Sequence, residues 1–305
     1  MPKVTNTVLV IGASGFVGRH LAQLLLAEGL TVRCMARDVT RASDLAEAGC
    51  EIVQGDMLDL PSVSRALESV QAVYICIHTL SPQGPKASGQ GFMDVETTGL
   101  QNIVSGCQTL GVRRLVYVTS IGVAADAPSA WVRGRAKIEQ MLFDSGLDVS
   151  VIRPGMIVGR GGSGFEAIVR GARGPAAVVL GSGRQRFRTV AVDDLAYYLV
   201  GVLDDPRSFG HHYDVGSDDV LTTGQMIDVA AERLGRRPPV KVHIPSGLLG
   251  LAAPLVERMA KMPPGAMKGM ADSLQIDMSG DPAPIRTILP RLPQTYRQAL
   301  ETALT

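Results

Sequence analysis

The sequence predicts an α/β fold: a doubly wound parallel sheet with a smaller second domain partly interleaved with it. Three observations carry this. Short β-branched runs alternate with segments of helical apolar spacing over about the first 150 residues. A glycine-rich turn joins the first run to the first helical segment, and the alternation stops at Arg153-Pro154-Gly155.

Taken in order, residues 7–11, 31–36, 72–77, 114–119 and 149–152 read as strands buried on both faces. Between the first two, Val17, Leu21, Leu24 and Leu25 share one helix face, and Gly29 supplies its stop. Right-handed crossovers bring the carboxyl ends of such strands together as the ligand edge. The Gly/Pro/Ser stretch 80–91 is a loop at that edge. Beyond residue 155, residues 159–164 (GRGGSG) form a loop and 181–183 a turn. Residues 190–192 read as a short strand leading into a helix at Asp193-Asp194, and 211–215 as a strand returning to the main sheet. Residues 1–157, with a returning segment near 193–218, therefore form the first domain, and 158–192 with 219–305 the second.

Composition narrows the function classes. Hydrophobic residues make up 46% and charged residues 19%, which excludes an extensively disordered chain. The net charge of +1 and an aromatic content of 4% give neither a polyanion field nor stacking platforms, so nucleic acid is not the expected partner. Cys34, Cys50, Cys76 and Cys107 form no CxxC pair, and the amino terminus has no secretory apolar region. A cytoplasmic protein is expected. His211 and His212 project to opposite faces of a strand and no Cys/His ligand spacing occurs, so no metal site is expected.

The segment Val8-Leu9-Val10-Ile11-Gly12-Ala13-Ser14-Gly15-Phe16-Val17-Gly18 follows a buried strand and opens an amphipathic helix. In that context G-x-x-G-x-x-G indicates a dinucleotide site. Gly12 permits the tight turn, Gly15 lets backbone approach a diphosphate, and Gly18 lets helix and strand pack closely. Ser14, Phe16 and Val17 flank the diphosphate, which is held by free amides at the helix start. After the second strand, Ala36 occupies the position where an acid would hold the ribose of NAD, and Arg37 follows it. Arg37 suits a 2′-phosphate, so NADP is preferred; Asp38 holding the ribose of NAD is the alternative. Asp56 is placed to accept from the adenine amino group with Met57 covering the ring, while a helix N-cap role is the alternative for Asp56. Ile77 and His78 line the adenosine side.

With these residues in view, the chain resembles the short-chain dehydrogenase/reductase superfamily, in its atypical and extended NAD(P)-binding branch. GDMLD at 55–59, RRLVYVTSIG at 113–122, VIRPGMIVG at 151–159 and FRTVAVDDLA at 187–196 carry the likeness, as does YDVGSDDVLTTGQM at 213–226. NmrA-like proteins and the NADPH-binding accessory subunit of respiratory complex I are similar. The resemblance implies a Rossmann domain and a carboxyl-terminal domain that binds a small-molecule substrate. It also implies an active site of Ser or Thr, a Tyr, and a Lys four residues after the Tyr. Ser120 matches the serine and Lys137 the lysine, which puts Arg133 in the tyrosine position. Arg153, Pro154, Gly155 and Met156 pass the nicotinamide, and Lys137 also bonds its ribose.

Releasing an arginine proton at pH 7 costs at least about 7 kcal/mol. Arg133 is therefore an anion anchor or a solvated side chain, and the usual carbonyl–alcohol mechanism is in doubt. Acceptors that need little proton help, enones and quinones, fit better. The alternatives are a non-catalytic NADP(H)-binding sensor or assembly protein, and an epimerase- or dehydratase-like isomerase with bound cofactor. Arg184, Arg186 and Arg188 share a face if extended, either as a basic pocket or as a solvated surface. The Leu/Met-rich stretch 244–270 reads as a core face or subunit contact, with membrane-surface contact as the alternative.

Overall fold

The computed structural model describes residues 7–77, 90–259 and 262–305, without the side chains of Phe92, Leu251, Ala252 and Val256. Strands β1 (Thr7–Ile11), β2 (Thr31–Ala36), β3 (Glu51–Gln54), β4 (Ala72–Ile75), β5 (Arg114–Val118) and β6 (Asp148–Pro154) alternate with helices. Those helices are α1 (Phe16–Ala27), α2 (Ser43–Glu47), α3 (Leu60–Leu67), α4 (Phe92–Leu110) and α5 (Ala130–Phe143). The six strands and β10 (His211–Val215) form one parallel sheet of seven, ordered β10-β6-β5-β4-β1-β2-β3. Every residue of β1, β4 and β5 is buried, as a strand covered on both faces requires.

Because side chains alternate along a strand, β1 divides its residues between two cores. Val8 and Val10 join Leu21 and Leu25 of α1 on one face; Leu9 and Ile11 join Val63, Leu100 and Ile138 of α3, α4 and α5 on the other. Helix α1 ends as its glycine predicts: Gly29 takes φ +82° and its N–H bonds to the Leu26 carbonyl. The chain order reverses at β1, which pairs with β2 on one side and β4 on the other, and this opens a crevice at the carboxyl ends.

The strand at 211–215 does return to the main sheet, in register with β6 from His211 opposite Ser150 to Val215 opposite Pro154. Arg114, 8% exposed, locks the segment in place. Its guanidinium donates to the carbonyls of Val202, Leu203 and Asp148 and to Ser150 Oγ, and stacks on Phe209. A buried cation is tolerable here because its donors face carbonyl oxygens.

The remaining elements form two smaller sheets and their helices. Strands β7 (Met156–Val158), β9 (Arg186–Ala191) and β11 (Val220–Thr222) make a three-stranded sheet; β8 (Ala176–Leu180) pairs with β12 (Val240–Ile244). Helix α7 (Val192–Gly201) returns to pack on α1, while α6 (Ser163–Arg173) and α8 (Thr223–Arg233) build a third core around Phe165, Ile168, Met226 and Ile227. Helices α9 (Ser246–Met259), α10 (Ala266–Ser273), α11 (Ala283–Ile288) and α12 (Tyr296–Leu304) complete the chain. No helix among the described residues is long and apolar enough to cross a membrane.

The three arginines at 184, 186 and 188 do not form one basic face. Arg184 lies before the strand, and the Arg188 guanidinium is turned into the fold, donating to the carbonyls of Ser217, Ser279 and Gly280.

Candidate cofactor and acceptor cleft

A cleft of about 790 Å³ runs along the carboxyl ends of β1, β2, β4, β5 and β6. Its middle is the turn between β1 and α1. Gly12 has φ +88°, and a Cβ there would stand 2.5 Å from the Cys76 carbonyl oxygen, so only glycine fits. Ser14, Gly15, Phe16 and Val17 line the cleft. Gly18 does not; a Cβ on it would meet the Gly12 oxygen at 2.4 Å, so its role is to let α1 press against the strand. Gly15 is the N-cap of α1, no side chain caps the helix, and its first turn holds no acid. The first-turn amides are thus left for an anion, in the field of a helix amino terminus.

Toward one end lie Arg37, Asp56, Met57 and Ile77, joined by Arg41, which sequence reasoning missed. The Asp38 carboxylate is engaged locally: Oδ1 accepts from Thr40 N at 3.0 Å and Thr40 Oγ1 at 2.6 Å, and these bonds hold its pKa below the usual value. Asp56 Oδ1 accepts from the Leu58 amide at 3.0 Å, and Asn102 Nδ2 holds the Met57 carbonyl at 2.9 Å. His78 lies outside the described residues.

The other end is where the structure departs from expectation. Ser120 lines the cleft, as do Pro154, Gly155 and Met156. Lys137 is exposed and sits in a shallow groove with Gln101, Val104 and Gln140, away from the cleft. Arg133 is half-buried and clamps the turn before its own helix: Nη1 donates to the carbonyls of Ala127 (2.6 Å) and Pro128 (2.8 Å). The i, i+4 pair that α5 turns to the cleft is Trp131 and Arg135. The reason is the helix's buried stripe, Val132, Arg135, Ile138, Glu139 and Leu142. Two residues of helix rotate a side chain by about 200°, so Arg133 and Lys137 fall on the far side. The Arg153 side chain likewise leaves the cleft to bind the Glu139 carboxylate.

Two ion pairs, one buried and one partly buried, lie behind this end of the cleft. Arg135 (4% exposed) places Nε 3.2 Å from Oε1 of Glu96 (0%), which also accepts the Tyr117 hydroxyl. Glu139 accepts from Arg153 and, at 2.8 Å, from Thr119 Oγ1. Burial disfavours the Arg135 cation, but the Glu96 carboxylate outweighs it, and the guanidinium stays charged. Burial, reinforced by Glu96, holds the Tyr117 phenol well above its usual range, so it is no proton donor to the cleft. Burial alone pushes the Cys76 thiol up to about 12. The walls at this end, Phe187 and Met278, come from distant segments joined by a bridge between those two residues. No local pattern in the sequence announces them.

The arrangement fits a nicotinamide dinucleotide. The glycine turn leaves no room for a Cβ, the helix start offers uncapped amides, and cations stand at the adenosine end. A 2-alkyl-3-oxoalkanoate reductase of Shewanella oneidensis is 25% identical over 272 residues, covering 78% of this chain and 68% of its own. The NAD(P)H azoreductase of Xenophilus azovorans is 23% identical over 288 residues, covering 90% of this chain and 94% of its own. A solved NADPH-dependent quinone oxidoreductase of Escherichia coli, complexed with NADPH, shares the fold. Its TM-score is 0.72 at 16% identity, over 98% of this chain and 100% of that one. The NAD(P)H-binding family model matches residues 12–206, spanning the glycine turn, both ion pairs and the β6–β7 junction. This chain belongs to the NAD(P)H-binding family.

Proposed function

We propose that the protein is a cytoplasmic NADP(H)-dependent reductase that passes hydride to an electrophilic, hydrophobic acceptor of the enone or quinone kind. The observation that carries this reading is the pair Trp131 and Arg135 on the cleft face of α5. Neither indole nor guanidinium releases a proton near neutral pH, so an acceptor that needs a proton in step with hydride is poorly served. A quinone needs none at that moment; its reduced oxygens take protons from water.

When bound, the reduced nicotinamide supplies the hydride. The chain's own contribution is positioning and electrostatics. Gly155 lets the β9 backbone pack against the strand's exit beside the cleft, since a Cβ there would stand 2.0 Å from the Arg188 carbonyl oxygen, and Pro154 fixes that exit. Arg135, paired with Glu96, presents the positive end of that ion pair where negative charge develops on the acceptor. Phe187, Met278 and Met156 give apolar walls that exclude water. In this reading 158–192 and 219–305 form the acceptor-binding domain. Arg37 and Arg41 favour the 2′-phosphate of NADP, and Asp38, tied to Thr40, leaves the NAD alternative weaker. The reductase, azoreductase and quinone oxidoreductase relatives agree with such an acceptor.

A second reading, a non-catalytic NADP(H)-binding sensor or assembly protein, draws on the same lack of a proton donor. The isomerase reading needs a proton carrier in the place Trp131 occupies and is the weakest. Stopped-flow mixing of NADPH-loaded protein with a panel of enones and quinones separates them. The reductase reading expects NADPH to be consumed in proportion to acceptor electrophilicity. Micromolar NADPH affinity with no oxidation by any acceptor supports the sensor.

A further inference from the structure

A large apolar side chain exposed singly is ordinary, but several on one face mark a contact surface. Strands β8 and β12 carry such a face. They are parallel, with Val240 opposite Ala176, Val242 opposite Val178 and Ile244 opposite Leu180, so these six side chains point the same way. Val240 is 70% exposed, Val178 58% and Val242 49%. The other face of the pair is the covered one. Ala177 and Val179 are buried there with Phe165 and Ile227, and Lys241 reaches the Asp228 carboxylate.

The open face itself bears no charge, yet cations border it at both ends. Arg173 precedes β8, and Arg236 and Arg237 precede β12. Arg236 Nη1 donates to the Arg173 carbonyl at 2.7 Å, which holds these segments side by side. Arg184 follows the turn at the far end of β8. All four arginines are exposed, and none forms an ion pair among the described residues.

We propose that the open face of β8 and β12 is a docking surface for an anionic lipid membrane. Its aliphatic side chains enter the acyl boundary while Arg173, Arg184, Arg236 and Arg237 meet the lipid phosphates. Two strands of five residues cover only about 170 Å² in plan. That is far below the roughly 800 Å² per partner of a stable protein interface. The face also lacks the aromatic anchors that dominate such interfaces. A second copy would bring uncompensated arginines near one another, whereas an anionic lipid surface neutralises them. None of these residues lines the cleft, so docking leaves the cofactor site open and does not depend on which acceptor is reduced.

Flotation of the full chain with vesicles of two parts phosphatidylcholine to one part phosphatidylglycerol tests this. The protein is expected to float with these vesicles, and to stay behind with pure phosphatidylcholine or in high salt. Val178→Ser with Val242→Ser should lower partitioning about tenfold through lost apolar burial. Arg236→Gln with Arg237→Gln should lower it about 25-fold, roughly fivefold per arginine. Both variants should keep the parent's NADPH affinity and unfolding temperature, which separates lost docking from lost folding. A parent that fails to float, or floats equally well with both pairs replaced, overturns the proposal. So does a dimer in sedimentation equilibrium that the valine variant dissociates, since a second copy then covers the face.

Discussion

Arg135 and Glu96 form an ion pair almost wholly removed from solvent, at 4% and 0% exposure, directly beneath the cleft. Such a pair adds little net stability, because desolvation offsets its attraction, but breaking it leaves a buried charge. Arg135→Met is therefore expected to cost about 3–5 kcal/mol in urea unfolding. Glu96→Gln added to it should recover a large part. If the single variant loses less than about 1 kcal/mol, the pair is not the buried clamp described here.

The rotation of α5 gives a second test. Lys137→Ala removes an exposed side chain that faces a groove away from the cleft, so NADPH affinity and turnover should stay within about twofold of the parent. Arg133→Ala should likewise spare NADPH affinity. It should lower stability by about 1–3 kcal/mol, through loss of the bonds to the Ala127 and Pro128 carbonyls. Isothermal titration with NADPH and thermal unfolding separate the two effects. A Lys137→Ala variant that no longer bound NADPH would restore the lysine to the site.

Why α5 misled the sequence reading is instructive. Both Arg133/Lys137 and Trp131/Arg135 have i, i+4 spacing, so spacing alone cannot choose between them. The choice is made by the stripe Val132, Arg135, Ile138, Glu139 and Leu142, which is buried although two of its five residues are charged. Only the partners Glu96 and Arg153, on α4 and β6, make that burial tolerable, and they are distant in sequence. By contrast the glycine turn, the buried strands and the strand character of 211–215 rest on local patterns, and those were legible. Phe187 and Met278 were not, because their meeting depends on the second layer closing over the sheet.

Cofactor choice is testable at the adenosine end. Replacing both Arg37 and Arg41 by Ala removes the two cations that line it. NADPH affinity should fall about 10- to 100-fold while NADH affinity changes less than about threefold, since only the 2′-phosphate loses partners. The NADPH advantage of the parent should also shrink as salt rises, because both side chains are exposed. Equal parent affinities for NADPH and NADH would defeat the preference.

Cys76 offers a test of the cleft's electrostatics that involves no turnover. Cys76 lines the cleft, yet burial pushes its thiol pKa up to about 12. The reactive form is the thiolate, so at pH 8 only roughly one molecule in 10⁴ is reactive. Cys107 is likewise raised to about 12 by burial, and Cys34 and Cys50 are raised chiefly for the same reason. Native protein should therefore show no rapidly labelled thiol toward iodoacetamide at pH 8. The sign follows from the direction of the shift: the neutral thiol persists until pH approaches 12, so any Cys76 labelling should rise about tenfold per pH unit across 8 to 10. Mass spectrometry of the alkylated peptide reads this directly. Labelling of Cys76 at the rate of a free cysteine, with no such climb, would mean that an anion-stabilising charge faces the thiol. The cleft wall at the end of β4 would then be electropositive rather than dry.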